Sequence, residues 1–193
     1  GPGISSALSW APLFQDCRFI NSSITDLGNE NHGVIDIVDA EPVFNNCEFR
    51  NLSIDPNNSN TGTIKGPIRL SGSQVSAGGG YDSTAFRPQF NNCTIAGNYT
   101  HFSSDYSNQY TFEGGAVYIG WGALPTFKNC RIDSNEIDTE GGRSNGAWHA
   151  SGGAVYIDNF LSYSSSPVRF INTSFKGNKI FGENVYGGAI SSS

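Results

Sequence analysis

The sequence predicts an all-β fold, a right-handed parallel β-helix (a solenoid) of about five rungs, on three observations. A motif built on phenylalanine and cysteine recurs five times along 193 residues. A glycine-corner motif alternates with it and appears twice as an identical hexapeptide. The composition, with 24 glycines, 13 phenylalanines, 8 tyrosines and no methionine, suits short strands joined by many turns and suits helices poorly.

The first motif reads Pro12-Leu-Phe14-Gln-Asp-Cys17-Arg-Phe19, then Pro42-Val-Phe44-Asn-Asn-Cys47-Glu-Phe49. It returns as Pro88-Gln-Phe90-Asn-Asn-Cys93-Thr-Ile95 and Pro125-Thr-Phe127-Lys-Asn-Cys130-Arg-Ile132. A fifth copy, Pro167-Val-Arg-Phe170-Ile-Asn-Thr173-Ser-Phe175, has one extra residue and Thr in the Cys position. An Asn follows each copy, at Asn21, Asn51, Asn98, Asn135 and Asn178.

Strand parity gives the motif its shape. Cys130 and Ile132 share a face because side chains alternate along a strand, while Phe127 has the opposite parity. A bend at Asn129 brings all three inside, and Asn tolerates such turns. Stacked on one another, these Asn residues are expected to form hydrogen-bonded ladders.

The second motif, Gly114-Gly-Ala-Val117-Tyr118-Ile119, is repeated as Gly152-Gly-Ala-Val155-Tyr156-Ile157 and begins again at Gly187. The glycine pair marks a sharp corner where a side chain would obstruct the turn. Val117 and Ile119 then line the core and Tyr118 is expected to point out. Gly33 and Gly66 each stand alone in weaker versions. Each repeat becomes a rung of about three short strands, stacked ~4.8 Å above the last. Together the rungs bury a column that no single one could bury. A sandwich or propeller would instead call for two-residue Asn-Gly or Asp-Gly turns, and gives no reason for one cysteine per repeat.

Cys17, Cys47, Cys93 and Cys130 hold equivalent positions, so they are expected in one inward row, as a core ladder of free thiols. Neighbours ~4.8 Å apart are wider than the ~3.8 Å between Cβ atoms that a relaxed disulfide prefers. Their spacing is unlike that of zinc knuckles. No metal site is expected, and among cofactors only Ca²⁺ is left open.

A net charge of -6 argues against nucleic acid, and no run of ~18 apolar residues is present for direct membrane insertion. Gly1-Pro2 resembles the scar of a cleaved affinity tag. Residues 1–3 are therefore set aside, and 4–193 are read as one β-helix domain excerpted from a larger protein.

The pairing of Phe175-Lys-Gly-Asn178, Ile95-Ala-Gly-Asn98 and Ile132-Asp-Ser-Asn135 with Gly115-Ala-Val117, Gly153-Ala-Val155 and Gly188-Ala-Ile190 resembles the chlamydial polymorphic membrane protein repeat. That repeat carries FxxN and GGA[ILV] tetrapeptides and also occurs in adhesin-like surface proteins of other microbes. The first two copies depart, since Phe19-Ile-Asn21 and Phe49-Arg-Asn51 are one residue short. The resemblance implies a secreted or surface-displayed passenger or stalk whose loops bind outside a cell.

Function is expected on the insertions between the Asn and the glycine corner. Two are long: 99–112, with Tyr99, His101, Tyr106 and Tyr110, and 136–151, with Trp148 and His149. Being on adjacent rungs, they should touch. Rings beside carboxamides and carboxylates suit a sugar or a partner protein. The expectation is a non-enzymatic, extracellular adhesin segment that binds a glycan or a host or partner surface protein, alongside the remainder of its parent chain. A polysaccharide lyase or hydrolase is one alternative, but Lys128, Arg131 and Asp133 lie over Asn91, Thr94 and Ala96, which makes no acidic ladder. A purely structural spacer is the other. The excursion from Ser71 to Phe86, with Gly78-Gly-Gly80, lacks the helix that a phosphate-binding loop needs.

Overall fold

The computed structural model describes residues 11–25, 32–55, 62–72, 76–77, 80–81, 85–101, 110–120, 122–139, 149–158, 168–182 and 184–193. Among them there is no helix, and the strands stack in parallel, in register, as a five-rung β-helix.

Each complete rung has five short strands rather than three. Sheet A stacks Leu13–Gln15, Val43–Asn45, Gln89–Asn91, Thr126–Lys128 and Arg169–Ile171. Sheet B stacks Arg18–Ile20, Glu48–Arg50, Thr94–Ala96, Arg131–Asp133 and Ser174–Lys176. Sheet C holds Ser23–Ile24, Ser53–Ile54, Tyr99–His101, Glu136–Asp138 and Lys179–Phe181. Sheet D holds Thr63–Lys65, Thr111–Glu113, His149–Ser151 and Asn184–Tyr186. Sheet E holds Ile35–Val38, Ile68–Ser71, Val117–Ile119, Val155–Ile157 and Ile190–Ser192. The excursion after Ser71 carries a short antiparallel pair, Ser76–Ala77 with Gly80–Tyr81.

The bend between sheets A and B is the one parity demands. Asp16, Asn46, Asn92, Asn129 and Asn172 all have φ between 49 and 55°, the left-handed region that, after Gly, Asn and Asp enter at least cost. Their side chains join rung to rung: Asn129 donates to Asn92 at 3.2 Å, and Asn172 donates to Asn129 at 3.3 Å. The chain thus reverses parity and sends Phe, Cys and Phe or Ile all inward. Phe14, Phe44, Phe90, Phe127 and Phe170 form one stack with centroids 4.7–5.2 Å apart. Each buried ring is worth about 1.5–3 kcal/mol, and each stacked contact about 0.5–1.5 kcal/mol more.

The bend between sheets B and C corrects one reading of the sequence. Pairing aligns Asn21 and Asn51 with Gly97, Ser134 and Gly177, all at positive φ. No residue is missing from the first two copies: their Asn sits one position earlier, on the outside, where Asn51 donates to Asn21 at 3.0 Å. The inward position holds Leu52 in the second rung and Asn98, Asn135 and Asn178 in the next three. There Asn98 Nδ2 donates to Asn135 Oδ1 at 2.9 Å, and Asn135 Nδ2 to Asn178 Oδ1 at 3.0 Å. Asn98 and Asn135 are wholly buried. The sequon Asn98-Tyr-Thr100 therefore offers no accessible amide, whereas Asn51 of Asn51-Leu-Ser53 is exposed.

The glycine corner joins sheets D and E. Gly114, Gly152 and Gly187 have φ of 82, 70 and 63°, and a Cβ on Gly114 would strike the Val117 carbonyl. In the second rung the same corner is one residue shorter, with Gly66-Pro67 between Lys65 and Ile68, which is why Gly66 stands alone.

All four cysteines are free thiols, three buried and Cys17 half-buried in the first rung. Cys47, Cys93 and Cys130 donate to the Phe carbonyl one rung below, at 3.5, 3.4 and 3.2 Å. Burial pushes the Cys47 thiol's pKa up, and a bond to Cys130, with burial, pushes that of Cys93 up.

Candidate functional site

The insertion edge lies between sheets C and D. Tyr99–His101 pairs with Glu136–Asp138 where the chain leaves, and Thr111–Glu113 pairs with His149–Ser151 where it returns. The two long insertions are therefore anchored on adjacent rungs at matched positions. Their interiors, 102–109 and 140–148, lie outside the described residues, and Tyr106 and Trp148 with them.

The described anchors form two separate groups. On sheet C, the Tyr99 ring stacks on His101 with centroids 5.3 Å apart, and its hydroxyl donates to Asp138 Oδ2 at 3.2 Å. Burial, reinforced by the Asp138 charge, pushes the Tyr99 hydroxyl's pKa well above the ordinary phenol value. His101 Nδ1 lies 3.6 Å from the same Asp138 oxygen, which is too long for a hydrogen bond. Strand register places His101 between Asp55 below and Asp138 above. His101 Nδ1 and Asp55 Oδ1 are both buried without a hydrogen-bond partner. On sheet D, exposed His149 stacks on Tyr186 at 6.5 Å. The two histidines thus stand on different sheets, each against its own tyrosine. Among the described residues no three His, Cys, Asp or Glu side chains converge as a metal would require.

Tyr110 is not a surface residue. It is 2% exposed and packs with Ile54, Ile64, Phe112, Ile137 and Ala150 in a second apolar cluster. The reason is parity: Tyr110 lies two residues before inward Phe112 and shares its face. Its expected role as a ligand contact is corrected accordingly.

A further polar cluster, unforeseen in the sequence, fills the outer angle of the glycine corner. Tyr118 has outward parity, yet it is 1% exposed because side chains of sheets D and E meet over it. Lys65 Nζ sits 4.2 Å above its ring, Tyr156 stacks at 6.1 Å, and its hydroxyl donates to Asp158 Oδ2 at 2.7 Å. Burial raises the Glu113 carboxyl to about 7, against the opposing pull of Lys65, and Tyr156 hydrogen-bonds it. Burial also lowers the Lys65 pKa. One turn below, Arg69 donates to Asp36 at 2.7 Å. The signal for this cluster was the charged residue before two of the corners, Lys65 and Glu113, with Tyr118 and Tyr156 after the corners at Gly114 and Gly152.

No family model, curated protein or solved structure matches the chain. The functional reading therefore rests on the fold and these side chains. Two surfaces differ in kind: the insertion edge presents His149, Tyr186 and the Tyr99–His101–Asp138 group, whereas the glycine corner spends its polar groups on one another.

Proposed function

We propose that this chain is a non-enzymatic β-helical segment of a larger extracellular, surface-displayed protein of adhesin type, which binds a glycan or a host or partner protein along its insertion edge. The observation that carries this reading is the register of the anchors. Insertions from consecutive rungs leave at His101 and Asp138 and return at Thr111 and His149, each pair side by side. Insertions anchored side by side on one edge favour a shared binding surface, for which a mere spacer has no need. Kinship with the polymorphic membrane protein repeat belongs to the same proposal. It is supported by the separate structural tasks of its two tetrapeptides, the inner Asn ladder and the glycine corner.

The glycine-corner cluster lends no support to a glycosidase centre at that corner. A glycosidase needs two carboxyl groups facing each other across space for the substrate. Here Asp158 is held by Tyr118, Glu113 by Tyr156, and Tyr118 itself occupies the angle between sheets.

The test replaces Tyr106 and Trp148 together by Ala and measures binding to a glycan panel and to host cells. Loss of binding with an unchanged unfolding temperature is expected. Unaltered binding would remove the edge as the site.

A further inference from the structure

We infer that the outer face of sheet A is a second binding site, which takes a linear anionic polysaccharide rich in uronate or sulfate groups. Five strands with two outward residues each make up this face, and none of those residues is Asp or Glu, in a chain that has 17 acidic residues. The face carries Lys128 and Arg169 on neighbouring strands, with Arg87 two residues before Gln89–Asn91.

Among the described residues these three cations have no carboxylate partner, a state they share with Lys176 and Lys179 on the fifth rung. Arg18 and Arg50 are held by Glu48, Arg69 by Asp36, and Arg131 by Asp133. Among the described residues, none of Arg87, Lys128 and Arg169 has a carboxylate partner within ion-pair distance. Arg87 meets Glu41 only through its backbone N–H, at 3.1 Å. Cations left unpaired on an acidic molecule, on the one sheet face cleared of carboxylates, present a local positive field to an incoming anion.

The same face carries a groove of about 540 Å³, lined by Arg87, Gln89, Asn91, Thr126, Lys128 and Asn129, with Asn92 beside them. Pairing sets Gln89 beside Thr126 and Asn91 beside Lys128, so the groove spans two adjacent rungs. The groove itself is amide, hydroxyl and cation, and the aliphatic residues of the face, Leu13, Val43 and Ile171, lie outside its lining. A peptide would want an apolar pocket for an anchoring side chain. A single-stranded nucleic acid would want stacking rings and a denser row of cations. Sugar hydroxyls want the donors and acceptors of Gln and Asn, and a uronate or sulfate wants Arg and Lys. The rung spacing of ~4.8 Å is close to the length of one pyranose in an extended chain, so successive sugars meet successive rungs.

This site is separate from the insertion edge, and the two fail separately. The experiment measures binding of the whole chain to immobilised polygalacturonate and dextran sulfate, with neutral dextran as control, at low and high salt. Binding to at least one anionic polymer and not to dextran, weakened by salt, is expected. The triple variant Arg87→Gln, Lys128→Gln, Arg169→Gln should bind at least tenfold more weakly. Lys176→Gln with Lys179→Gln, which removes cations elsewhere on the fifth rung, should bind as the parent does. Circular dichroism should show all variants folded alike. The inference is overturned if neither anionic polymer binds, if dextran binds equally, if the triple variant is unchanged, if the Lys pair matters as much, or if duplex DNA competes as well as polygalacturonate itself.

Discussion

Thr173 stands over Cys130 in the inward row, and its hydroxyl makes the same pair of carbonyl bonds as the thiol one rung below. Thr173 Oγ1 donates to Phe127 and Ile171 carbonyls at 3.0 and 3.2 Å, and Cys130 Sγ to those of Phe90 and Lys128 at 3.2 and 3.4 Å. The position thus selects a small side chain with one donor, and sulfur chemistry has no part in it. Cys47, Cys93 and Cys130 are rung-stacking groups whose carbonyl acceptors are fixed by the bend at Asn46, Asn92 and Asn129.

Exchange at this position should therefore follow size and donor capacity. Cys130→Thr is expected to change stability by less than about 1 kcal/mol. Cys130→Leu overfills a layer already packed by Phe90 and Phe127, and is expected to cost about 1–3 kcal/mol. Urea unfolding of the two variants decides it: equal losses would mean that the donor has no role.

The inner Asn ladder carries more. Asn135 donates to Ile95 O and Asn178 Oδ1 and accepts from both Asn98 N and Nδ2, all while wholly buried. Replacing it by the near-isosteric Leu strips partners from Asn98 on one side and from Asn178 on the other. A loss of about 2–5 kcal/mol is expected, several orphaned groups at ~1–3 kcal/mol each, less the gain from apolar burial. Leu is the native residue at this position in the second rung, at Leu52, where no Asn below it depends on its side chain. If Asn135→Leu unfolds at the parent's urea midpoint, the ladder is ornamental.

The rungs were legible in the sequence because parity and repetition constrain each other. Phe127, Cys130 and Ile132 can all face inward only if Asn129 turns the chain, and it does. Tyr110 was equally readable from the alternation Tyr110-Thr111-Phe112, which continues the strand's inward face back into the insertion. The place of Asn21 and Asn51 was not readable. A two-residue gap to Asn and a three-residue gap look like a deletion until pairing shows that a bend can carry Asn either at its left-handed residue or just after it. Nor was Tyr118, since its outward parity is correct and its burial arises from the angle between two sheets, a property of the stack that no one repeat contains.

Glu113 gives that hidden corner a pH signature. Its folded pKa of about 7 lies above the 4.5 expected of an unfolded glutamate, so between those values the folded protein holds a proton that the unfolded chain has released. Stability from this group is full below about pH 4.5, falls as pH rises, and levels off above about 7. The span corresponds to on the order of 3 kcal/mol at most. Lys65 acts with the opposite sign, because a lysine whose pKa is lowered adds stability as pH rises from that lowered value towards the 10.5 of the unfolded chain. Thermal unfolding followed from pH 5 to 7.5 should thus show a declining midpoint in the parent and a flatter one in Glu113→Gln, with the two proteins closest near pH 5. A parent that is more stable at pH 7.5 than at pH 5, or a variant with the parent's slope, would mean that Glu113 ionises freely and that the glycine corner is open to water.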